Sequence, residues 1–190
     1  GQGLYLSGQD YLTAPLGEID LSAGTIEFWL RPDYSFSGLD EFRRFSNRSI
    51  FHFANVINDV FGMMVNANVI NFYFGNVSND INGFLIQGMT TEGIDQLWHM
   101  AVVFSNNGKD IVADASTIRL YINNFLVRVN YATWDIEDNK SWRFTLGGKA
   151  PIALIEFAST LRTSSVDGVI SDLRMYNYCK TDFTDSLVNL

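Results

Sequence analysis

Gly168-Val169-Ile170-Ser171-Asp172-Leu173-Arg174-Met175-Tyr176-Asn177-Tyr178 alternates apolar and polar residues, the period of a strand with one face on a core and one on water. Counted by strict alternation, Ser171 shares a face with Leu173 and Met175, and Asp172 points the other way with Arg174. A short helical tail follows, with Thr181 or Asp182 placed to cap it and Phe183 to pair with Leu187. The same rhythm recurs upstream. Ile26, Phe28 and Leu30 fall on one face of residues 25–31, with Thr25, Glu27, Trp29 and Arg31 on the other. Trp98, Met100, Val102 and Phe104 line one face of residues 97–104. Ile118, Leu120 and Ile122 mark a further strand, and Asn123-Asn124 turns the chain tightly into residues 125–129. Trp142, Phe144 and Leu146 form another, ended by Gly147-Gly148.

Shorter strands are expected at residues 4–6, 11–13, 50–54, 60–66, 69–75 and 84–87, separated by Asn-, Asp- and Gly-bearing turns. Residues 33–48 break the pattern and read as a long loop, as do 105–116 and 130–141. Residues 149–166 form a long connection with room for one strand. About a dozen short strands and almost no helix predict an all-β, two-sheet antiparallel β-sandwich, a jelly roll, with a short C-terminal helix. No linker, repeat or low-complexity segment divides residues 1–190, so the expectation is one domain. The first residue is Gly1 rather than Met, which suits a domain excised from a larger protein.

Composition narrows the function classes. The chain is 47% hydrophobic, enough to fill such a core, and its Phe 15, Tyr 8 and Trp 4 favour β-structure. A net charge of -8, with Lys+Arg 13 scattered among Asp+Glu 21, argues against nucleic acid and anionic lipid, both of which need clustered cations. One cysteine, Cys179, excludes an internal disulfide. No run is long enough for a membrane-spanning helix, and no signal peptide opens the chain.

Six motifs in sequence carry a family resemblance. They are Leu6-Ser7-Gly8-Gln9-Asp10-Tyr11-Leu12, the Thr25 to Trp29 strand, Leu97-Trp98-His99-Met100-Ala101-Val102-Val103, Leu120-Tyr121-Ile122-Asn123, Leu146-Gly147-Gly148, and the Gly168 to Tyr178 strand. In this order they resemble the laminin-G-like branch of the concanavalin A-like jelly rolls. The resemblance implies two sheets, one of them curved, chain termini close together, and insertion into a large extracellular, cell-surface or virion protein. It also implies binding of glycan or protein rather than catalysis, often with calcium. The family's last strand commonly carries an acidic pair. Here Ser171 replaces the first acid and only Asp172 remains, which weakens the demand for a structural cation.

Calcium prefers several hard oxygens, and the candidates are Asp10 in the first turn and Asp172, with Asp33, Asp40, Asp59 and Asp80 scattered in loops. A sugar needs an aromatic face with amide or carboxylate partners, and Tyr34, Phe36, Tyr131 and Trp134 stand in expected loops among Asn and Asp. Trp29, Trp98 and Trp142 lie on strands and read as core or sheet-face residues. Glu18-Ile19-Asp20 resembles the start of the glucanase Glu-x-Asp-x-x-Glu motif, but Ser22 and Ala23 stand where its second glutamate belongs. His52 and His99 lie within strands and read as structural, and Cys179 as a half-buried thiol. Asn47, Asn76 and Asn139 open glycosylation-type triplets that an Asn-rich chain produces by chance.

The expectation is a non-catalytic module recognising glycan through loops at one sandwich edge. The alternative is a structural or adhesive domain with a protein partner, using Phe36, Phe42 and Phe45 beside Arg43, Arg44 and Arg48 in the 33–48 loop. A glucanase-type hydrolase is the third reading.

Overall fold

A computed structural model of the chain describes residues 3–8, 10–18, 22–33, 47–55, 59–66, 69–76, 80–86, 96–105, 117–131, 141–148 and 163–187. They form two sheets packed face to face. Across the first run β1 (Leu4–Leu6), β13 (Gly168–Tyr176), β3 (Ala23–Pro32), β8 (Trp98–Ser105), β9 (Thr117–Ile122) and β10 (Phe125–Tyr131). Across the second run β2 (Tyr11–Glu18), β11 (Ser141–Gly147), β4 (Asn47–Asn55), β5 (Asp59–Asn66), β6 (Val69–Asn76) and β7 (Asp80–Ile86). Every pairing along these two orders is antiparallel; β12 (Thr163–Ser165) is the exception, lying parallel to the start of β4. One short helix, α1 (Thr184–Leu187), ends the described chain, and no helix among the described residues is long and apolar enough to cross a membrane.

The expected alternation builds the core. Ile26, Phe28 and Leu30 of β3 and Met100, Val102 and Phe104 of β8 face Phe51, Phe53, Phe61, Phe72, Phe144 and Leu146 of the second sheet. Edge-on ring contacts knit the layers: Phe28 to Phe51 at 6.1 Å and Phe61 to Phe104 at 4.8 Å between centroids. Each such pair is worth about 0.5–1.5 kcal/mol beyond its buried area.

Several boundaries differ from the sequence reading. The second strand continues through Pro15 to Glu18, because β2 is an edge strand and a proline there leaves no ladder bond unmade. β4 begins at Asn47, so Asn47 and Arg48 leave the expected loop for a strand. The long connection before the last strand holds β12. Asn123 and Asn124 both have positive φ, 50° and 66°, as a tight hairpin turn requires.

The largest correction lies in β13. Ser171 pairs with Trp29 and Arg174 with Glu27, so three steps on β13 match two on β3. That extra residue is a β-bulge. It puts Asp172 at φ 50° and exchanges the two faces beyond it. Leu173 turns to the core, and Arg174 and Tyr176 turn outward with Ser171, where strict alternation had set Ser171 beside Leu173 and Met175.

Strand order also fixes which segments share an end. Leu6 pairs with Gly168, Gly148 N donates to Asp10 O at 2.9 Å, and Asp33 N donates to Asp167 O at 3.1 Å, so Asp10, Asp33, Gly148 and Gly168 share one end. Ala23, Ser105, Thr117 and Tyr131 follow one another across the first sheet at the opposite end. Ser141, opposite Glu18, lies there too, at the far end of β11 from Gly147. At the Asp10 end, a Cβ on Gly168 would stand 2.5 Å from Arg31 O and 2.9 Å from Pro32 Cα, both backbone atoms that cannot swing away. Gly168→Ala should lower unfolding stability by about 1–3 kcal/mol, read from urea melts; an unchanged midpoint would contradict this close approach.

Candidate functional site

The outer face of β3 carries a cluster of titratable groups. Thr25, Glu27 and Trp29 point away from the core, yet all are buried; residues 177–187 fold back as a strap over Thr25 and Glu27, and Trp29 packs on His99. Glu27 is 1% exposed. Its carboxylate accepts from Tyr176 Oη at 2.7 Å, Ser186 Oγ at 2.9 Å and Lys180 Nζ at 3.2 Å, and Arg174 lies 3.5 Å away. His99 Nε2 lies 3.5 Å from it, and the ring packs against Trp29 at 5.1 Å and Phe183 at 5.7 Å. Desolvation lowers the His99 pKa; Glu27 pulls the other way, and Lys180 and Arg174 add to the lowering. Desolvation also opposes the Lys180 ammonium, but Asp185 and Glu27 prevail and its pKa is raised.

The strap has a small core of its own. Cys179 and Phe183 pack on Ala101, Val103 and Tyr121, and burial pushes the Cys179 thiol up. Asp182 Oδ1 accepts from Thr184 N at 2.9 Å, so Asp182 takes the capping role. Ser, His and Glu meet here, but not as a nucleophile relay. Ser186 donates to Glu27 rather than to His99, and all three are sealed under the strap. The arrangement pins the C-terminal segment to the sheet.

At the Asp10 end, Asp10 Oδ2 accepts from Ser7 N at 3.2 Å. Asp167 pairs with the buried Arg48 and accepts from Gly8 N at 3.0 Å, and Tyr5 Oη donates to Asp33 at 2.7 Å. Arg48, read from sequence as a loop interface residue, is therefore a strand residue engaged by Asp167. The Asp33 hydrogen bond raises the Tyr5 phenol pKa.

The two calcium candidates stand apart. Asp10 is in the first turn, whereas Asp172 sits four residues beyond Gly168, roughly 13 Å at strand spacing. Asp172 is engaged by Arg174, Nε at 3.0 Å and Nη2 at 2.7 Å. Among the described residues no three His, Cys, Asp or Glu side chains are grouped to hold a metal. This pair does not fit one shared ion.

Of the four aromatic candidates, Tyr131 closes β10 and is 69% exposed. Tyr34, Phe36 and Trp134 lie outside the described residues, as do Phe42, Phe45, Arg43, Arg44, Asp20 and Asp40. Their flanks are informative. Segment 34–46 leaves from Asp33 and re-enters at Asn47, both near Asp167, whereas segment 132–140 joins Tyr131 to Ser141 at the opposite end. Tyr34 and Phe36 thus belong to a segment anchored at one end, and Tyr131 and Trp134 to the other. Glu18 is the last residue of edge strand β2, opposite Ser141.

The Glu27 cluster was not anticipated as a site. Its one sequence signal is a glutamate flanked by core residues on a strongly apolar strand; its partners lie some 150 residues away, at separations of 149, 153 and 159 for Tyr176, Lys180 and Ser186.

Residues 6–182 match the model of the concanavalin A-like lectin/glucanases superfamily, a laminin-G-type profile. No curated protein matches significantly. Among similar solved structures is a heptameric SAP-like pentraxin from Limulus polyphemus, at 14% identity and TM-score 0.60, covering 98% of this chain and 80% of that one. Another is domain 4 of AbnA, an extracellular arabinanase from Geobacillus stearothermophilus, solved with arabinotriose, at 16% identity and TM-score 0.60, covering 94% and 72%. A third is the ligand-binding domain of botulinum neurotoxin serotype D, solved with N-acetylneuraminic acid, at 14% identity and TM-score 0.60, covering 96% of this chain and 40% of that one. At such identities the likeness is one of fold.

Two measurements test this geometry. Added calcium or EDTA should leave the melting temperature unchanged, because Asp10 and Asp172 already have protein partners; a rise of several degrees with calcium would show a site built from other groups. Burial on the second sheet lowers the His52 pKa from 6.5 to about 4. Neutral His52 therefore contributes stability that is complete above pH 6.5 and lost as pH falls toward 4. Urea melts should show a loss of about 2–3 kcal/mol from this group by about pH 4.5. His52→Gln should shrink the pH difference by that amount; an equal difference in both proteins would refute it.

Proposed function

The chain belongs to the concanavalin A-like lectin/glucanases superfamily, in its laminin-G-like form, and from that premise we propose a non-catalytic module that binds glycan at the Tyr131 end of the sandwich. The observation that carries this reading is the contrast between buried and exposed chemistry. Glu27, His99, His52, Ser186 and Cys179 are all buried. Tyr131, by contrast, presents its ring to solvent beside Asn130, where the segment bearing Trp134 begins. An open aromatic face with amides nearby suits sugar C–H groups and hydroxyls. Two of the similar domains were solved with a sugar bound.

The same reading makes the module part of a larger secreted, cell-surface or virion protein. The runner-up, a domain that docks on protein, is favoured by one feature: Phe125, Leu126 and Val127 lie exposed on the β9–β10 hairpin, Phe125 at 76%.

A broad glycan array, run with and without calcium, should return hits. Tyr131→Ala and Trp134→Ala should each weaken the best hit by at least about fivefold, the loss of ~1 kcal/mol expected of an aromatic contact. Tyr34→Ala and Phe36→Ala, in the segment anchored at Asp33 and Asn47, should leave it unchanged. An empty array, together with stable complexes in native mass spectrometry that Phe125→Ser abolishes, would replace the glycan reading with the protein-docking one.

A further inference from the structure

The strap over β3 is attached differently from the strands beneath it. Its hydrogen bonds to the sheet run through side chains. Thr25 Oγ1 donates to Tyr178 O at 2.8 Å and accepts from Lys180 N at 2.9 Å, and Phe183 N donates to Asn124 Oδ1 at 3.0 Å. It is held further by Ser186 Oγ on Glu27 at 2.9 Å, by Cys179 and Phe183 packed on Ala101, Val103 and Tyr121, and by the Lys180 ammonium, seated between Glu27 and Asp185 and over the rings of Tyr176 and Phe183 at 5.0 and 5.1 Å. Such an attachment can open while the sheets stay paired.

His99 lies beneath it, 1% exposed, with Phe183 of the strap over its ring. Its Nδ1 is buried and has no hydrogen-bond partner among the described residues. A proton added to this ring would leave a charged N–H out of water. Charged neighbours among the described residues act in both directions. Glu27 on β3 and Asp172 on β13 favour an imidazolium; Arg174 on β13 and Lys180 on the strap oppose it. The Glu27 carboxylate is already engaged by Tyr176, Ser186, Lys180 and Arg174. The neutral ring fits the docked strap and the charged ring does not.

We propose that residues 177–187 form an acid-released latch: protonation of His99 is incompatible with the docked strap, so mild acid lifts it and uncovers Glu27, Ala101 and Tyr121 while the sandwich stays folded. The sign follows from linkage. Docking buries His99 and lowers its pKa, so docking is strongest where the ring is neutral in both states and weakens as pH falls from the undocked toward the docked value. For one linked proton the opening constant rises by up to about tenfold per pH unit. His52 is distinct, since it lies on the other sheet and titrates near 4.

Cys179, the one cysteine, is buried within the strap interface and reports opening. Its reaction with 4,4′-dithiodipyridine, which also proceeds in mild acid, is measured at each pH relative to the same protein in denaturant. From about pH 7.5 to about pH 5.5 the relative rate should rise severalfold, up to about tenfold, while far-ultraviolet circular dichroism is unchanged. His99→Gln should abolish the pH dependence, and Lys180→Met should speed labelling at every pH. A flat relative rate in the wild-type protein, or an unchanged slope in His99→Gln, would overturn the proposal. Should His99→Gln fail to fold, the His99 titration followed by NMR in the wild-type protein must share its midpoint with the labelling curve; separate midpoints would overturn it equally.

Discussion

A carboxylate withdrawn from water in the middle of a central strand constrains much of this molecule. Burying Glu27 costs several kcal/mol unless donors surround it. They come from two places, β13 and the strap. Arg174 and Tyr176 must therefore face outward. Before the bulge, Ile170 faces the core opposite Leu30. Continued alternation would send Asp172 and Arg174 into the apolar layer as well. One extra residue at Asp172 removes that conflict, turning Leu173 inward and Arg174 onto Glu27. Aspartate tolerates the left-handed backbone better than most residues and forks onto Arg174, which suits it to this place.

The layers of the sandwich were legible in the sequence because period two survives along β3, β8, β9 and β11. Ile26, Phe28 and Leu30, and Trp98, Met100, Val102 and Phe104, occupy the core faces that their spacing implies. The bulge was half legible: Ile170, Asp172 and Arg174 on one face is a chemical contradiction that only a change of register resolves. The strap was less legible. Thr25, Glu27 and Trp29 look like a solvated face, and only a tertiary return of the chain reveals that Phe183 and Lys180 cover it. Phe183, expected to pair with Leu187 along the helix, is instead the strap's apolar anchor on Tyr121 and His99.

Site prediction met a different obstacle. Aromatic residues in loops can be counted from sequence, but the end of the sandwich to which each loop returns depends on strand order. Asp33 and Tyr131 are both strand-end residues of the first sheet, and nothing local to either says that they lie at opposite ends. The hydrogen bond from Asp33 N to Asp167 O and the pairing of Tyr131 with Thr117 decide it.

Strand edges offer the other surface through which a β-sandwich can engage a partner, and here they are blunted. β1 is three residues long. β2 carries Pro15 and slips register beside it, between its pairings with Trp142 and Arg143. β10 slips between Leu126 and Arg128, and Arg128, opposite core residue Leu120, carries a charge to the inner side of that edge. Short edges, prolines, bulges and inward charges all disfavour pairing with a further strand. β-Augmentation is thereby penalised at three of the outer strands, which leaves the strand ends, with segments free to vary around a fixed sandwich, as the places where recognition costs the fold least.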